Sequence, residues 1–142
     1  MKFISTLAIT LLMGVGLATN AAAEEKIENR QAWLSQAVAM IQSGELEGLE
    51  DKMKSTLGDT MQSDVDGLMD PLMNVMEDHK PIYVDKVSHD TMGQTFDQHI
   101  YAAYYGHREF VFYAFTFAKL ENGWQLYSLD FADSLGGLDP IN

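Results

Sequence analysis

The fold is decided by one stretch, residues 95–131, which reads TFDQHIYAAYYGHREFVFYAFTFAKLENGWQLYSLDF. It holds most of the aromatic residues of the chain, arranged in runs that glycine and asparagine interrupt. Such runs are typical of β-strands separated by tight turns. Together with the strand-like residues 82–89 before it, the stretch predicts four antiparallel strands over 82–89, 94–105, 109–120 and 124–131.

The turns between these strands set the predicted register of the sheet. Asn122-Gly123 is typical of a two-residue type I′ hairpin loop. Counting from that loop places Phe117 opposite Ser128 and Phe115 opposite Asp130, because side chains alternate between the two faces. The preceding turn is predicted at Gly106-His107 or His107-Arg108, and either choice gives the same assignment of faces.

The predicted register divides the sheet into two faces, and both are rich in aromatic side chains. One is predicted as a packing or dimer face and includes Phe96, Ile100, Tyr113, Phe115, Phe117 and Trp124. The other is predicted to line a ligand pocket with Asp97, His99, Tyr101, Thr116 and Tyr127. Since a half-solvated sheet is apolar on one side only, each face needs a cover. Helices can cover one, and a barrel-like curl, a bound ligand or a homodimer can cover the other.

Apolar residues at helical spacing predict three helices before the sheet. The first two cover residues 25–43 and 46–57 and end at Gly44 and Gly58. Pro71 interrupts the third pattern, so we expect Asp70 as an N-cap, Pro71 at the first helical position, and residues 65–69 as a preceding turn or helix. Helices followed by an antiparallel meander predict an α+β fold with the helices on one face of the sheet.

The N-terminal 23 residues have the features of a secretory signal peptide. Lys2 supplies a basic start, residues 3–18 are apolar, and Asn20 with three alanines forms a small-residue cleavage site. We therefore expect cleavage after residue 23, one domain over residues 24–142, and a periplasmic protein without a membrane anchor. The chain has no cysteine, so neither a disulfide nor a lipid-modified cysteine is expected.

The charge of the chain excludes one class of partner. Nine Lys and Arg stand against 21 Asp and Glu, which gives a formal net charge of −12 at pH 7. Such a surface repels nucleic-acid phosphates and anionic lipids. We expect no nucleic-acid partner, and the acidic surface is explained by solubility or, alternatively, by a cationic partner.

The polar residues of the sheet suggest a site without defining a reaction. Asp97 and His99 lie two residues apart on one predicted face, where they could perform acid–base chemistry or orient a polar ligand. Alternatively they form a buried polar cluster whose members satisfy each other. No nucleophile motif, phosphate-binding loop or metal-ligand spacing is present, so no catalytic residue, metal or cofactor is assigned. Met69, Met73 and Met76 at helical spacing are interpreted as core rather than copper ligands.

The order of elements resembles that of the NTF2-like, or cystatin-like α+β, superfamily. The closing hairpin is the most specific part, with Phe115 and Phe117, then Gly123-Trp124, Leu126 and Phe131. The resemblance implies a conical pocket between helices and a bent sheet, frequent homodimers through the sheet, and functions from isomerases and dehydratases to interaction modules. Enzymes of this superfamily carry Asp, His or Tyr inside the cone, a role for which Asp97, His99, Tyr101 and Tyr127 are candidates.

Two functions follow as hypotheses. The first is a non-catalytic module that binds a small apolar or amphipathic ligand or a protein partner, because aromatics and alanines together form adaptable pockets. The second is a small lyase or isomerase in which His99 acts with Asp97 or a tyrosine as acid and base.

Overall fold

The computed structural model describes residues 8–12, 26–76 and 79–138, which form three α-helices and a five-stranded sheet. The helices are α1 (Arg30–Ser43), α2 (Leu46–Leu57) and α3 (Gln62–Met76), and the strands are β1 (Ala8–Leu12), β2 (Tyr83–Met92), β3 (Phe96–Gly106), β4 (Glu109–Leu120) and β5 (Gly123–Ala132). The predicted α+β arrangement is confirmed. No helix among these residues is long and apolar enough to cross a membrane.

Local signals place the ends of α1 where they are. The Asn29 side chain accepts a hydrogen bond from the backbone N–H of Ala32 at 2.9 Å and so caps the first turn. Gly44 ends the helix with φ of 77°, a left-handed conformation that glycine adopts without steric cost. The predicted start at residue 25 is wrong, because Ile27 instead forms a β-bridge with Trp124.

The third helix differs from its prediction, because it runs through Pro71 without a break. Pro71 lacks an N–H and normally costs about 3 kcal/mol in a helix interior. Buried residues continue on both sides of it, with Val65, Leu68 and Met69 before and Leu72 and Met76 after. Packing of this continuous apolar face accounts for an unbroken helix, so Asp70 is not an N-cap.

The sheet is antiparallel and open, with the order β1-β5-β4-β3-β2. Strands β2–β5 form the predicted meander, and the sheet is not closed into a barrel. The fifth strand is β1, which pairs with Ser128–Ala132 of β5 although it falls within the predicted signal peptide. The rest of that predicted segment, residues 1–7 and 13–23, lies outside the described residues.

The predicted loop at Asn122-Gly123 is wrong by one residue. Gly123 pairs with Leu120, so Glu121 and Asn122 form the two-residue loop. Gly123 serves another purpose, since a Cβ atom there would lie 2.6 Å from Cε of Lys26 and 3.0 Å from the carbonyl oxygen of Ile27. The glycine therefore permits the N-terminal segment to cross the hairpin closely.

Two further irregularities invalidate the predicted division into faces. The turn between β3 and β4 lies at His107-Arg108, which is one of the two predicted alternatives. Tyr105 forms a β-bulge next to it, so that Tyr104 pairs with Phe110. A second bulge at Tyr127 brings Phe115 opposite Leu129 rather than Asp130. Each bulge adds one residue to one strand and so reverses which face the following residues occupy.

With these bulges, the helix-covered face carries both the polar pair and the large aromatics. Asp97 lies opposite Phe117 and His99 lies opposite Phe115. The Trp33 ring of α1 contacts both phenylalanines edge-on, at 5.8 and 6.1 Å between centroids. Helices and sheet thus share one apolar core, in which the candidate polar residues are embedded at one end.

The opposite face is lined by small side chains flanked by aromatics. Its central positions are Ala102, Ala114, Ala118, Thr116 and Ser128, which are buried between half-buried neighbours such as Phe112 and Tyr104. The buried residues of the three helices pack against the core face of the sheet, which carries Phe115 and Phe117. A homodimer through the opposite face, one of the predicted alternatives, stays a prediction.

Candidate functional site

The candidate site is built around the carboxylate of Asp97, a residue that is only 2% exposed. The side chains of His89, His99 and Arg30 all donate hydrogen bonds to it. Its Oδ1 lies 2.5 Å from Nε2 of His89, and its Oδ2 lies 2.8 Å from Nε2 of His99 and 2.5 Å from Nη1 of Arg30. Because a carboxylate can only accept hydrogen bonds, both histidines donate from Nε2.

The hairpin between β2 and β3 brings the two histidines together. Met92 pairs with Phe96 across a three-residue loop, and this register places His89 directly opposite His99. Their rings stack at 4.2 Å between centroids with 12° between the planes. His99 is buried, whereas the side chain of His89 is 43% exposed. The pair therefore has one member in the core and one at the surface.

Arg30 links this cluster to the N-terminus of α1 and to β5. Its guanidinium lies over the Trp124 ring at 4.2 Å from the centroid, a cation–π contact, while it also pairs with Asp97. The same residues border an open cavity of about 350 Å³, lined by Arg30, His89, Thr91, Gly93, Gln94, Phe96, Asp97, Lys119 and Trp124. The size falls within the usual range for small-molecule sites.

The surroundings shift the protonation of the buried members. Burial alone raises the pKa of Asp97, but hydrogen bonds from His99 and His89 and the charge of Arg30 together bring that pKa below its ordinary value. Burial lowers the pKa of His99 and outweighs the opposing effect of Asp97. At neutral pH the cluster therefore holds an ionised carboxylate and a neutral His99.

Two buried nitrogen atoms of the cluster lack partners. Among the described residues, Nδ1 of His99 and Nε of Arg30 are buried and make no hydrogen bond. Unsatisfied buried polar atoms are uncommon in folded proteins and are costly. The alternative in which the members of this polar cluster satisfy each other is therefore not met at these two atoms.

The structure brings together only part of the predicted ligand pocket. Asp97 and His99 belong to the cluster, and Tyr101 lies on the same face but outside the cavity lining, with its ring edge-on to Phe115 at 6.3 Å. Thr116 and Tyr127 lie on the opposite face, where Thr116 bonds Gln98 and Tyr127 contacts Phe96. The bulge at Tyr105 is the reason for this separation.

The predicted packing or dimer face is also split between the two sides. Tyr113, Phe115 and Phe117 are fully buried in the core beneath the helices, and Trp124 packs against that core. Phe96 and Ile100 are half-buried on the opposite face. Helix packing therefore explains the first group and does not extend to the second.

Four residues of the site were missed by the sequence reasoning, namely Arg30, His89, Lys119 and Trp124. Counting across the turn at Gly93 predicts the pairing of His89 with His99 if the loop is taken as residues 93–95. Trp124 was assigned to the packing face instead. No local pattern indicates Arg30, which reaches the sheet from the first turn of α1 and is far from Asp97 in sequence.

A larger cavity, of about 420 Å³, lies on the other side of α1. Two pairs of its polar side chains already bind each other: Nζ of Lys52 donates to Gln36 at 2.7 Å, and Nε1 of Trp33 donates to Thr56 at 2.9 Å. Lys52 also lies 5.1 Å from the centroid of the Trp33 ring. We regard it as the weaker candidate because these four side chains already have partners.

The methionine pattern is explained by packing. Met69 and Met76 are fully buried and Met73 packs against the same core.

Comparison with protein-family models, with curated proteins and with solved structures gives no match. The geometry of the cluster therefore carries the functional argument.

Proposed function

We propose that this protein is an exported, periplasmic binding module of the NTF2-like type that holds a small amphipathic anion in the cavity beside Asp97. The observation that carries the proposal is the placement of Arg30, which is fixed between Asp97 and the Trp124 ring at the cavity wall. A pre-oriented guanidinium next to an aromatic surface is suited to a carboxylate with a short apolar tail.

The distribution of charge supports an anionic ligand. The chain has only nine Lys and Arg, and two of them, Arg30 and Lys119, line this cavity. Asp97 is the one acidic side chain among the described residues that line it, and its charge is already shared by three donors. On an acidic protein, this cavity is locally cationic. Phe96 and Trp124 supply the apolar walls.

Hexanoate is a suitable probe, with hexanamide as its uncharged counterpart. We expect hexanoate to bind at least tenfold more tightly than hexanamide, because a charge-assisted hydrogen bond contributes about 1.5–3 kcal/mol. Arg30→Gln should weaken hexanoate binding by about tenfold or more, as measured by isothermal titration calorimetry in the presence of a metal chelator.

Lys86→Gln provides the control, because Lys86 lies on β2 outside the cavity lining. It removes the same charge and should leave hexanoate affinity unchanged. Equal affinities for the acid and the amide, or equal effects of the two substitutions, would show that the cavity does not bind anions through Arg30.

A second candidate function is acid–base catalysis by a lyase or isomerase. It is favoured by the contact in which Asp97 orients His89, whose ring is partly exposed at the cavity. A histidine held by a carboxylate can abstract a proton adjacent to a carbonyl group. Exchange of the α-hydrogens of 2-oxobutanoate for deuterium, followed by NMR, tests this function. If the exchange rate with the protein equals that in buffer alone, and His89→Gln does not change it, the catalytic function is contradicted.

The outer sheet face is the proposed surface for a protein partner or a second copy of the chain. Phe96 and Ile100, two of the predicted interface residues, are half-buried there. Ile100→Lys should convert a homodimer to a monomer in sedimentation or size-exclusion measurements. A monomeric wild-type protein at all accessible concentrations contradicts the homodimer.

A further inference from the structure

The geometry points to a divalent-metal site in which His89, Asp97 and His99 bind one zinc-class cation. The three side chains offer two imidazole nitrogens and a carboxylate oxygen, all within 4.8 Å of one another. This inference is independent of the ligand proposed above, although a metal ion at this position would add to the positive charge that faces the cavity.

The donor set suits a borderline divalent ion. Two histidines and one carboxylate bind Zn²⁺, Co²⁺ and Fe²⁺, and three protein ligands leave at least one position open for water or a ligand. The separations of the two His Nε2 atoms from the Asp97 oxygens are 2.5 and 2.8 Å. Only a small expansion is needed to bring such atoms to the spacing of ligands around one ion.

The site is held by rigid elements and has an entry path. All three residues lie on the paired strands β2 and β3, and the stacked rings restrict each other's rotation. A pre-organised donor set loses little conformational entropy when it binds. His89 is exposed at the cavity, which gives an ion access from solvent, while Asp97 and His99 are shielded.

Metal ligation requires a change of tautomer at His99. In the metal-free cluster its Nε2 carries the proton that it donates to Asp97, and ligation would move that proton to Nδ1. Among the described residues, Nδ1 of His99 has no hydrogen-bond partner. The change therefore breaks no hydrogen bond at Nδ1. His89 also donates to Asp97 from Nε2, so ligation through that atom shifts its tautomer too, and the two hydrogen bonds lost to Asp97 are replaced by metal bonds.

Arg30 is the competitor of the metal ion. Its guanidinium binds Oδ2 of Asp97 and would stand close to a divalent cation. The cation–π contact with Trp124 holds the guanidinium in this position, so a metal ion has to displace it from the carboxylate. Removing the charge of Arg30 should therefore strengthen metal binding, whereas the same change should weaken hexanoate binding.

A second group of acidic side chains serves as a comparison rather than a site. Glu50, Asp66 and Asp70 also lie within metal-binding distance of one another. Lys54 already pairs with Glu50 at 2.6 Å and with Asp66 at 2.5 Å. This group contains no imidazole, and Lys54 already occupies two of its three carboxylates, so we expect no tight binding of Zn²⁺ there.

The test is a calorimetric titration of the chelator-treated full-length protein with Zn²⁺, together with the visible absorption of Co²⁺. We expect one ion per chain and a Co²⁺ spectrum showing nitrogen ligation. His89→Gln should lower the affinity at least tenfold, since a ligand is lost. Arg30→Gln should raise it severalfold. Because His89 is partly exposed, the His89→Gln variant should keep its fold, which circular dichroism can verify.

His107→Asn and Asp66→Asn are the matched controls. His107 is an exposed histidine in the turn between β3 and β4, with φ of 53°, a conformation that asparagine tolerates. Neither control should change the affinity. Absence of one-to-one binding by the wild type, or equal losses in His89→Gln and His107→Asn, would overturn the proposal. Failure of hexanoate binding would leave it intact.

Discussion

Two ionic clusters in this protein use similar residue types in contrasting settings. One lies between α2 and α3, where Nζ of Lys54 bridges Glu50 and Asp66. The other lies on the sheet, where Asp97 receives Arg30, His89 and His99. The Asp66 side chain is 46% exposed and that of Asp97 is 4% exposed. The Asp66 carboxylate of the helix cluster is therefore largely solvated, whereas the Asp97 carboxylate of the sheet cluster is not.

The difference shows what separates a surface network from a candidate site. In the helix cluster, one lysine satisfies two carboxylates, which lowers the pKa of Asp66 and raises that of Lys54. In the sheet cluster, the donors outnumber the carboxylate, and two buried nitrogens remain without partners among the described residues. Arg30, His89 and Asp97 of this cluster also line a cavity, where a ligand or an ion can reach them.

The largest expected effect comes from removing the apolar support of the sheet cluster. Phe117 contacts both Trp33 and His99 edge-on, at 5.8 and 6.1 Å. Phe117→Ala should lower the free energy of unfolding by about 3–5 kcal/mol, because it leaves a cavity in the core. Urea denaturation measures the loss. Phe112→Ala, on the same strand but half-buried on the other face, should lose only about 1 kcal/mol. Similar losses would contradict the assignment of faces.

A smaller effect is expected when each cluster loses its carboxylate. Asp97→Asn leaves Arg30 partly buried without its counter-charge and should lower the free energy of unfolding by about 3 kcal/mol at pH 7. Asp66→Asn makes the same chemical change at an exposed pair and should shift Tm by only about 1–2 °C. Thermal and urea denaturation of both variants give the comparison. Equal effects would mean that the sheet cluster is no more buried than the helix cluster.

The smallest effect is a dependence of stability on pH that belongs to the sheet cluster. Since the pKa of folded His99 is lowered, the unfolded chain binds more protons below about pH 6.5, and stability falls as pH decreases through that range. The lowered pKa of Asp97 adds a second loss below about pH 4. Urea denaturation in a metal chelator measures both losses.

His99→Gln should abolish the first loss and reduce the second, because the His99 hydrogen bond helps to lower the pKa of Asp97, while His107→Asn should change neither. The wild type should be most stable above about pH 6.5 with respect to these two groups. If the free energy of unfolding increases as the pH is lowered from 6.5 to 5, then folded His99 prefers the protonated form, contrary to the effect of its burial.

The sequence was sufficient for the elements that depend on local patterns. Gly44 and Gly58 end α1 and α2 as predicted, and the four strands of the meander lie close to their predicted ranges. These features follow from hydrophobic periodicity and from residues with special backbone preferences. Pro71 shows the limit, because packing on both sides of it outweighed its local preference.

The assignment of faces failed because it depends on single residues far from the site. The bulge at Tyr105 moves Asp97 and His99 to the side of Phe115 and Phe117, and no local signal predicts it. Arg30 joins the cluster through the tertiary packing of α1, which periodicity does not specify. Asp97 and His99 contact each other, but the predicted register wrongly placed Tyr127 and Thr116 beside them.

An NMR titration of isotope-labelled, chelator-treated protein with hexanoate tests the contrast between the two clusters most directly. We expect the largest changes in backbone amide chemical shift at Arg30, Asp97, Lys119 and Trp124, with none at Lys54 or Asp66. Their loss in Arg30→Gln and retention in Lys86→Gln would identify the sheet cluster as a binding site. Saturation without shifts at Arg30 and Asp97, or equal shifts in both clusters, would contradict it.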